Sequence, residues 1–270
     1  MSARDLHAVL RAAGVSSQLT SVKHVASGRF GSVYFVRGEH GGIRRLQEWL
    51  VSNGDDRVCG ARCPAGVAAV KLQALPSAAW ARDARGEDHC HRRVCRGTRG
   101  RAVAPEFFAG ATLHAGSLRV TMMEALASSG GAAMRGGKEL ERIVTAAWRA
   151  GVVHGDLHPG NVVVLPNGSA RLVDFGMAVC LPRKTTAKLV AALKTMPAAE
   201  AFDAVCLDRV RGVMRRRGVD LEHATMDGDA LRHDSERQQR IFLGEEEGGG
   251  EEGGATCATS ATSSKTTCRR

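Results

Sequence analysis

The stretch that most constrains this chain is HGDLHPGNVVVLPNGSARLVDFG, residues 154–176. Val162 to Leu165 is a short β-branched run, Asn167-Gly168 is a favoured two-residue turn, and Ala170 to Val173 supplies a returning strand, so the stretch predicts a β-hairpin. A turn centred on Asn167 and Gly168 sets Asn161 directly opposite Asp174. Opposed residues of such a pair have Cβ atoms about 4.5–5.5 Å apart, close enough for an amide oxygen and a carboxylate to share a hard cation. Magnesium is of that kind, and beside phosphates it takes one or two protein carboxylates. Asp156, on the loop just before the hairpin, is placed to accept a proton from an attacking hydroxyl.

The rest of the chain divides into a strand-rich first part and a helix-rich second part. Leu6, Val9, Leu10 and Ala13 lie at helical spacing behind Ser2, which predicts a short amphipathic leading helix. Residues 22–36 read as two strands joined by a glycine-containing turn, and 66–74 as a third strand. Between them, 37–65 read as an insertion with a short helix near Ile43 to Leu50. A helix from Ser77 to Arg96 and strands near 105–113 and 117–125 complete a small sheet unit. The Gly- and Ser-rich text after Leu126 reads as a hinge, followed by helices at 137–150, 184–195 and 199–217. The tail from Gly244 has almost no apolar residues and is expected to be disordered. The domain reading is therefore an N-terminal extension (1–20), a sheet lobe (21–125), a hinge with a reduced helical lobe (126–243) and a tail (244–270). The class is α+β, with a cleft between two lobes.

Composition adds little to this. The formal charge of +10 favours polyanionic partners, ATP among them, but the arginine clusters are not interleaved with aromatics, so nucleic acid is not indicated beyond general basicity. No continuous apolar stretch suggests a signal or a membrane span, and an intracellular protein of cytoplasm or nucleus is expected. The eight cysteines are scattered and read as free thiols. Spacings among Cys59, Cys63, Cys90 and Cys95 do not form the paired Cys-x-x-Cys pattern of a zinc site.

With His-x-Asp, an asparagine five residues later and Asp-Phe-Gly at the far end of a hairpin, residues 22–180 resemble the protein-kinase-like superfamily. Within it, the chain resembles compact, divergent serine/threonine kinases of the kind that viruses encode. The resemblance implies a two-lobed fold with a small antiparallel sheet, and ATP with Mg2+ as the bound species. It assigns Asp156 as catalytic base, Asn161 and Asp174 as magnesium ligands, and His154 and Phe175 as packing elements. Ala26-Ser27-Gly28-Arg29-Phe30-Gly31-Ser32-Val33-Tyr34 resembles the glycine-rich loop, with Ala26 in place of the first glycine; Ala26, Gly28, Phe30, Gly31 and Val33 are its cofactor-binding candidates. Val67-Ala68-Ala69-Val70-Lys71 resembles the lysine strand, in which alternation puts Ala69 and Lys71 on one face, an apolar wall beside an ammonium. Trp80, Ala84, Glu87, His91 and Val94 form one helical stripe, so Glu87 is the expected partner of Lys71, with Asp83 one turn away as the alternative. Met122 to Ala125, Glu124 among them, resembles the adenine-binding hinge.

The departures concern the acceptor. Gly155 stands where many protein kinases carry an arginine, and His158 replaces the lysine two residues after the base; an imidazole there can donate to the γ-phosphate. HGDLHPGN also resembles the loops of aminoglycoside- and choline-kinase-like enzymes. No Ala-Pro-Glu follows Asp174, and only roughly 60 to 70 residues separate the hairpin from the tail, too few for a full lower lobe. The expected function is γ-phosphate transfer from ATP to Ser or Thr of a protein substrate. A small-molecule phosphotransferase and a silent nucleotide-binding scaffold are the alternatives.

Overall fold

Apolar alternation in the first part of the chain has one dominant outcome, a five-stranded antiparallel sheet. The computed structural model describes residues 2–28, 31–53, 66–98, 103–113, 117–126, 137–219, 221 and 225–232. The strands are β1 (Leu19–Gly28), β2 (Gly31–Gly38), β3 (Val67–Ala74), β4 (Phe107–Leu113) and β5 (Leu118–Met123), ordered β1-β2-β3-β5-β4. Because side chains alternate across a strand, Ala68, Val70 and Leu72 of β3 join Tyr34, Val36, Val120 and Met122 in one buried cluster. Lys71 and Gln73 point to the opposite face, where they meet Glu87.

Two helices close the first face. In α1 (Ala3–Ala12) the Ser2 backbone N–H donates to Asp5 Oδ2 at 2.7 Å, and the stripe Leu6, Val9 and Leu10 is buried. The helix α2 (His40–Ser52) is the helix expected near Ile43 to Leu50 within 37–65, and it is longer than expected. Strand β2 continues to Gly38, and Ile43, Leu46 and Leu50 of α2 are fully buried in the same cluster as the strands. At Gly42 a Cβ would come within 2.7 Å of Gln18, so the glycine admits a close approach at the helix start. Residues 54–65 lie outside the described residues, as do the hinge from 127 to 136 and the tail.

The second face receives α3 (Ala78–Gly97), whose N-cap Ser77 accepts from Trp80 N–H. Ala84, Glu87, His91 and Val94 are buried as their spacing predicts. Trp80 departs from that stripe: it remains 36% exposed, bordering a cleft with Asp83, Met177 and Arg217. Further along, Cys90 and Val94 belong to the lower core, so α3 packs on both lobes.

The lower lobe is built from α4 (Gly137–Arg149), β6 (Val152–Val153), β7 (Val162–Val164), β8 (Ala170–Leu172), β9 (Val179–Cys180), α5 (Arg183–Ala192), α6 (Ala198–Val205), α7 (Leu207–Arg216) and α8 (Asp227–Arg232). Its core centres on Trp148, whose ring stacks on Phe202 at 5.1 Å. The helix predicted over 199–217 is two helices, broken where Cys206 (φ −121°, ψ −30°) ends α6 and starts α7. The architecture is α+β, a sheet lobe above a reduced helical lobe, as the resemblance implies. Among the described residues no helix is long and apolar enough to cross a membrane.

Candidate active site

The hairpin forms at the predicted place with a different turn. Pairing runs Val162 with Leu172, Val163 with Arg171 and Val164 with Ala170. Leu165 N–H donates to Ser169 O, and Gly168 N–H to Leu165 O, each at 2.8 Å. Pro166 and Asn167 therefore occupy the centre of a four-residue turn and Gly168, at φ +75°, is the left-handed residue that follows. Proline's fixed φ favours this three-residue connection over the two-residue turn predicted. The register shifts by one residue, so Asn161 faces Val173, whose N–H reaches Asn161 O at 3.0 Å. Asp174 is the next residue, not the directly opposed one.

Asp174 leaves the strand in a left-handed conformation (φ 56°, ψ 76°), the sole non-glycine with positive φ among the described residues. Aspartate tolerates that region better than most residues. Its Oδ1 accepts from Gly176 N–H at 3.3 Å and from Lys71 Nζ at 3.0 Å, while its side chain stays 43% exposed. Lys71 is buried and also donates to Glu87 Oε1 at 2.5 Å, and Gln73 Nε2 donates to Glu87 Oε2 at 2.6 Å. Glu87, not Asp83, is thus the partner of Lys71. Burial acts to lower the ammonium pKa, but Glu87 and Asp174 together outweigh it and hold Lys71 above its usual value. Asp174 ends below the usual carboxylate range, its burial overcome by Lys71 and by the Gly176 N–H. Glu87 is pushed up by its own burial, against the pull of Lys71. Lys71 remains the cation of the cluster.

The loop before the hairpin is fastened from below. Asp227, at the start of α8, accepts from His154 N–H (2.9 Å), Gly155 N–H (2.7 Å) and Trp148 Nε1 (2.8 Å). Leu157 N–H adds a bond to Thr225 O. Gly155 has φ +82°, and a Cβ there would lie 2.2 Å from Met214 Cε and 2.8 Å from Met177 O. An arginine cannot stand at 155 in this packing, which gives the departure noted in the sequence its physical reason. Asn161 Nδ2 donates to Asp156 O at 2.9 Å, so the amide fixes the backbone of Asp156 and presents Oδ1 on its other side. Asp156 itself is half-buried. His158 is exposed, accepts Gly160 N–H at its Nδ1 (3.1 Å), and brings Nε2 to 3.9 Å from Asp156 Oδ2. Phe175 is flanked by His91 (5.0 Å between ring centroids, nearly parallel) and His154 (5.3 Å), a column tying α3 to the loop.

Residues 135–202 match the ABC1 atypical kinase-like domain. That span holds α4, the 154–161 loop, the hairpin, Asp174 and α5, and it ends in α6. Lys71, Glu87 and the sheet lobe lie outside it, and their relation to the matched region rests on the structure. No curated protein matches the chain. The match covers about a quarter of the chain, and the α+β architecture of sheet lobe and helical lobe is consistent with a kinase-like fold.

The upper candidates are placed less completely. Gly28 and Gly31 close the β1–β2 hairpin, with Ala26 opposite Val33; Arg29 and Phe30 lie outside the described residues. Gly31 is required for a local reason, since at φ +129° its Cβ would fall 2.2 Å from Leu72 O. Val33 stands opposite Lys71, and Ala69 opposite Phe35 and Met123, so all three lie on the cleft side of the sheet. Glu124 is half-buried; its N–H donates to Glu106 O at 2.8 Å and its carboxylate accepts Glu106 N–H, so its N–H is engaged within the sheet.

Several supporting residues escaped the sequence reading. Asp227 lies far along the chain from the loop it holds, in a stretch without any motif. Gln73 could have been found, because strand alternation places it on the same face as Lys71. The donor set suits magnesium: an amide Oδ1 whose Nδ2 is engaged and a carboxylate below its ordinary pKa are both hard oxygen ligands.

Proposed function

We propose that the chain is an ATP-dependent phosphotransferase that moves the γ-phosphate to a hydroxyl, with Ser or Thr of a protein as the leading acceptor. The observation that carries this reading is Lys71 held between Glu87 and Asp174, 2.5 Å and 3.0 Å away, beside a loop that fixes Asp156 through Asn161. Lys71 would pair with the ATP phosphates, which removes part of their charge repulsion. Asn161 and Asp174 would hold magnesium, whose role is to neutralise charge developing on the phosphates. Asp156 would accept the hydroxyl proton and orient the attacking oxygen in line. His158, its Nδ1 engaged by Gly160, would carry its proton on Nε2, toward the same space. The β1–β2 hairpin would cover the phosphates and the Val33 and Ala69 side of the sheet would receive the adenine.

A small-molecule acceptor is the second reading, favoured by the HGDLHPGN loop and by the short helices after the hairpin. Purified chain with γ-labelled ATP and magnesium, given a protein mixture in one arm and a panel of small alcohols in another, separates the two. Label is expected in the protein arm. Label in alcohols alone would replace the acceptor, and absence of transfer with ATP still bound would leave a nucleotide-binding scaffold.

A further inference from the structure

Two thiols outside the phosphate cluster come together from distant parts of the chain. Cys90 follows Glu87 by one turn of α3, and Cys180 ends β9, just beyond the Asp174 turn. Their Sγ atoms are 2.7 Å apart, and both are free thiols. Neither partner can drift easily. Cys180 is held in the β6–β9 ladder opposite Val152, with Leu181 N–H bonded to Gly151 O. Cys90 is buried on a helix packed against both lobes.

The surroundings make the pair unequal. Arg93, fixed by its Nε on Ala150 O at 2.7 Å, and Arg217, fixed by Nη1 on Ala178 O at 3.1 Å, place guanidinium charge beside Cys180. With Cys90 donating to it and these arginines near, the Cys180 thiol is drawn down to about 7, against its partial burial. Cys90 is pushed up, chiefly by that same bond and by burial. Cys180 is also the less buried of the two, so it is the sulfur a small oxidant reaches first.

We propose that Cys90 and Cys180 are a redox modification site, oxidised by a hydroperoxide to a reversible disulfide that fastens α3 to β9. The Cys180 thiolate attacks one peroxide oxygen, the O–O bond breaks, and the departing hydroxide leaves as water once protonated. The Cys90 sulfur then attacks the Cys180 sulfenic acid; the S–O bond breaks, the S–S bond forms, and the leaving hydroxide takes the Cys90 proton as a second water. Two thiols lose two electrons and the peroxide gains them. The bond would hold α3 where Glu87 reaches Lys71. It requires no phosphotransfer, so this site and the proposed function stand or fall separately.

The test treats the wild-type full chain with equimolar hydrogen peroxide, blocks remaining thiols by alkylation, and identifies tryptic peptides by mass. The expected product joins peptide 86–92 to peptide 172–183, separates again under dithiothreitol, and raises the thermal midpoint by about 5 °C or more. In Cys90→Ser, oxidation should stop at a Cys180 sulfenic acid that a 1,3-diketone probe traps. Recovery of both peptides alkylated, a Cys180 sulfinic acid beside alkylated Cys90, or a bond from either cysteine to another position would overturn the proposal. The wild-type arm decides the matter even if the variant fails to fold.

Discussion

Glu87 and Asp88 are neighbours on α3, both buried and both paired with a cation from the sheet, yet their surroundings differ. Asp88 faces Arg119, which is completely buried; Oδ2 accepts from the guanidinium, Oδ1 accepts from Thr121 at 2.9 Å, and Arg119 also reaches Thr112. Gly110 leaves room for this pair, since a Cβ there would press on both partners. The partners named here, Arg119, Thr121 and Thr112, all belong to the sheet. Glu87 instead holds Lys71, which passes the charge on to Asp174 of the lower lobe, whose carboxylate is partly open to solvent. A buried ion pair alone is thus no mark of a site. What marks one is an open member supplied by the other lobe.

The largest effect that can break this comparison is on stability. Arg119→Ala removes a fully buried guanidinium from the Asp88 carboxylate and is expected to cost about 3–5 kcal/mol in urea unfolding. Lys71→Met should cost clearly less, because burial already pushes the Glu87 carboxyl up and it can take a proton once its partner is gone. Equal losses in the two variants would make Lys71 as structural as Arg119.

A smaller effect sharpens the boundary between the two clusters. His91, one turn beyond Glu87, donates from Nε2 to Pro105 O at 2.6 Å and stacks on Phe175; burial lowers its pKa to about 4. Unfolded, it titrates near 6.5. Its contribution is therefore fully present above pH 6.5, declines as the unfolded chain takes up a proton the folded one refuses, and is gone by about pH 4, roughly 3 kcal/mol in all. His91→Phe keeps a ring against Phe175 and should flatten the fall in urea midpoint between pH 6.5 and 4. An unchanged slope would place the acid sensitivity elsewhere.

Much of this arrangement was legible where the signal is local. Helical spacing picked Glu87 on α3, strand alternation put Lys71 and Ala69 on one face, and Asn167-Gly168 located the hairpin. Local chemistry also set the limits. Pro166 moved the turn by one residue, since its fixed φ suits the start of a three-residue connection, a preference that the Asn167-Gly168 pair masked. Partners distant in sequence left no trace: Asp227 under the loop, Arg119 on Asp88 and Cys180 on Cys90 are each selected by packing. Gly155 was visible as a departure, but its cause lies in Met214 and Met177, which only the folded chain brings together.

Lys71, Asp174 and Asn161 are proposed to form one magnesium-nucleotide site. Its most direct test is ATP affinity, by calorimetry, with and without magnesium, in wild type and Asp174→Asn. Wild type should bind ATP about tenfold more tightly or better with magnesium, a gain of about 1.4 kcal/mol, and the variant should lose that gain while its urea midpoint stays near wild type. Magnesium-dependent tightening that survives unchanged in Asp174→Asn would contradict the account.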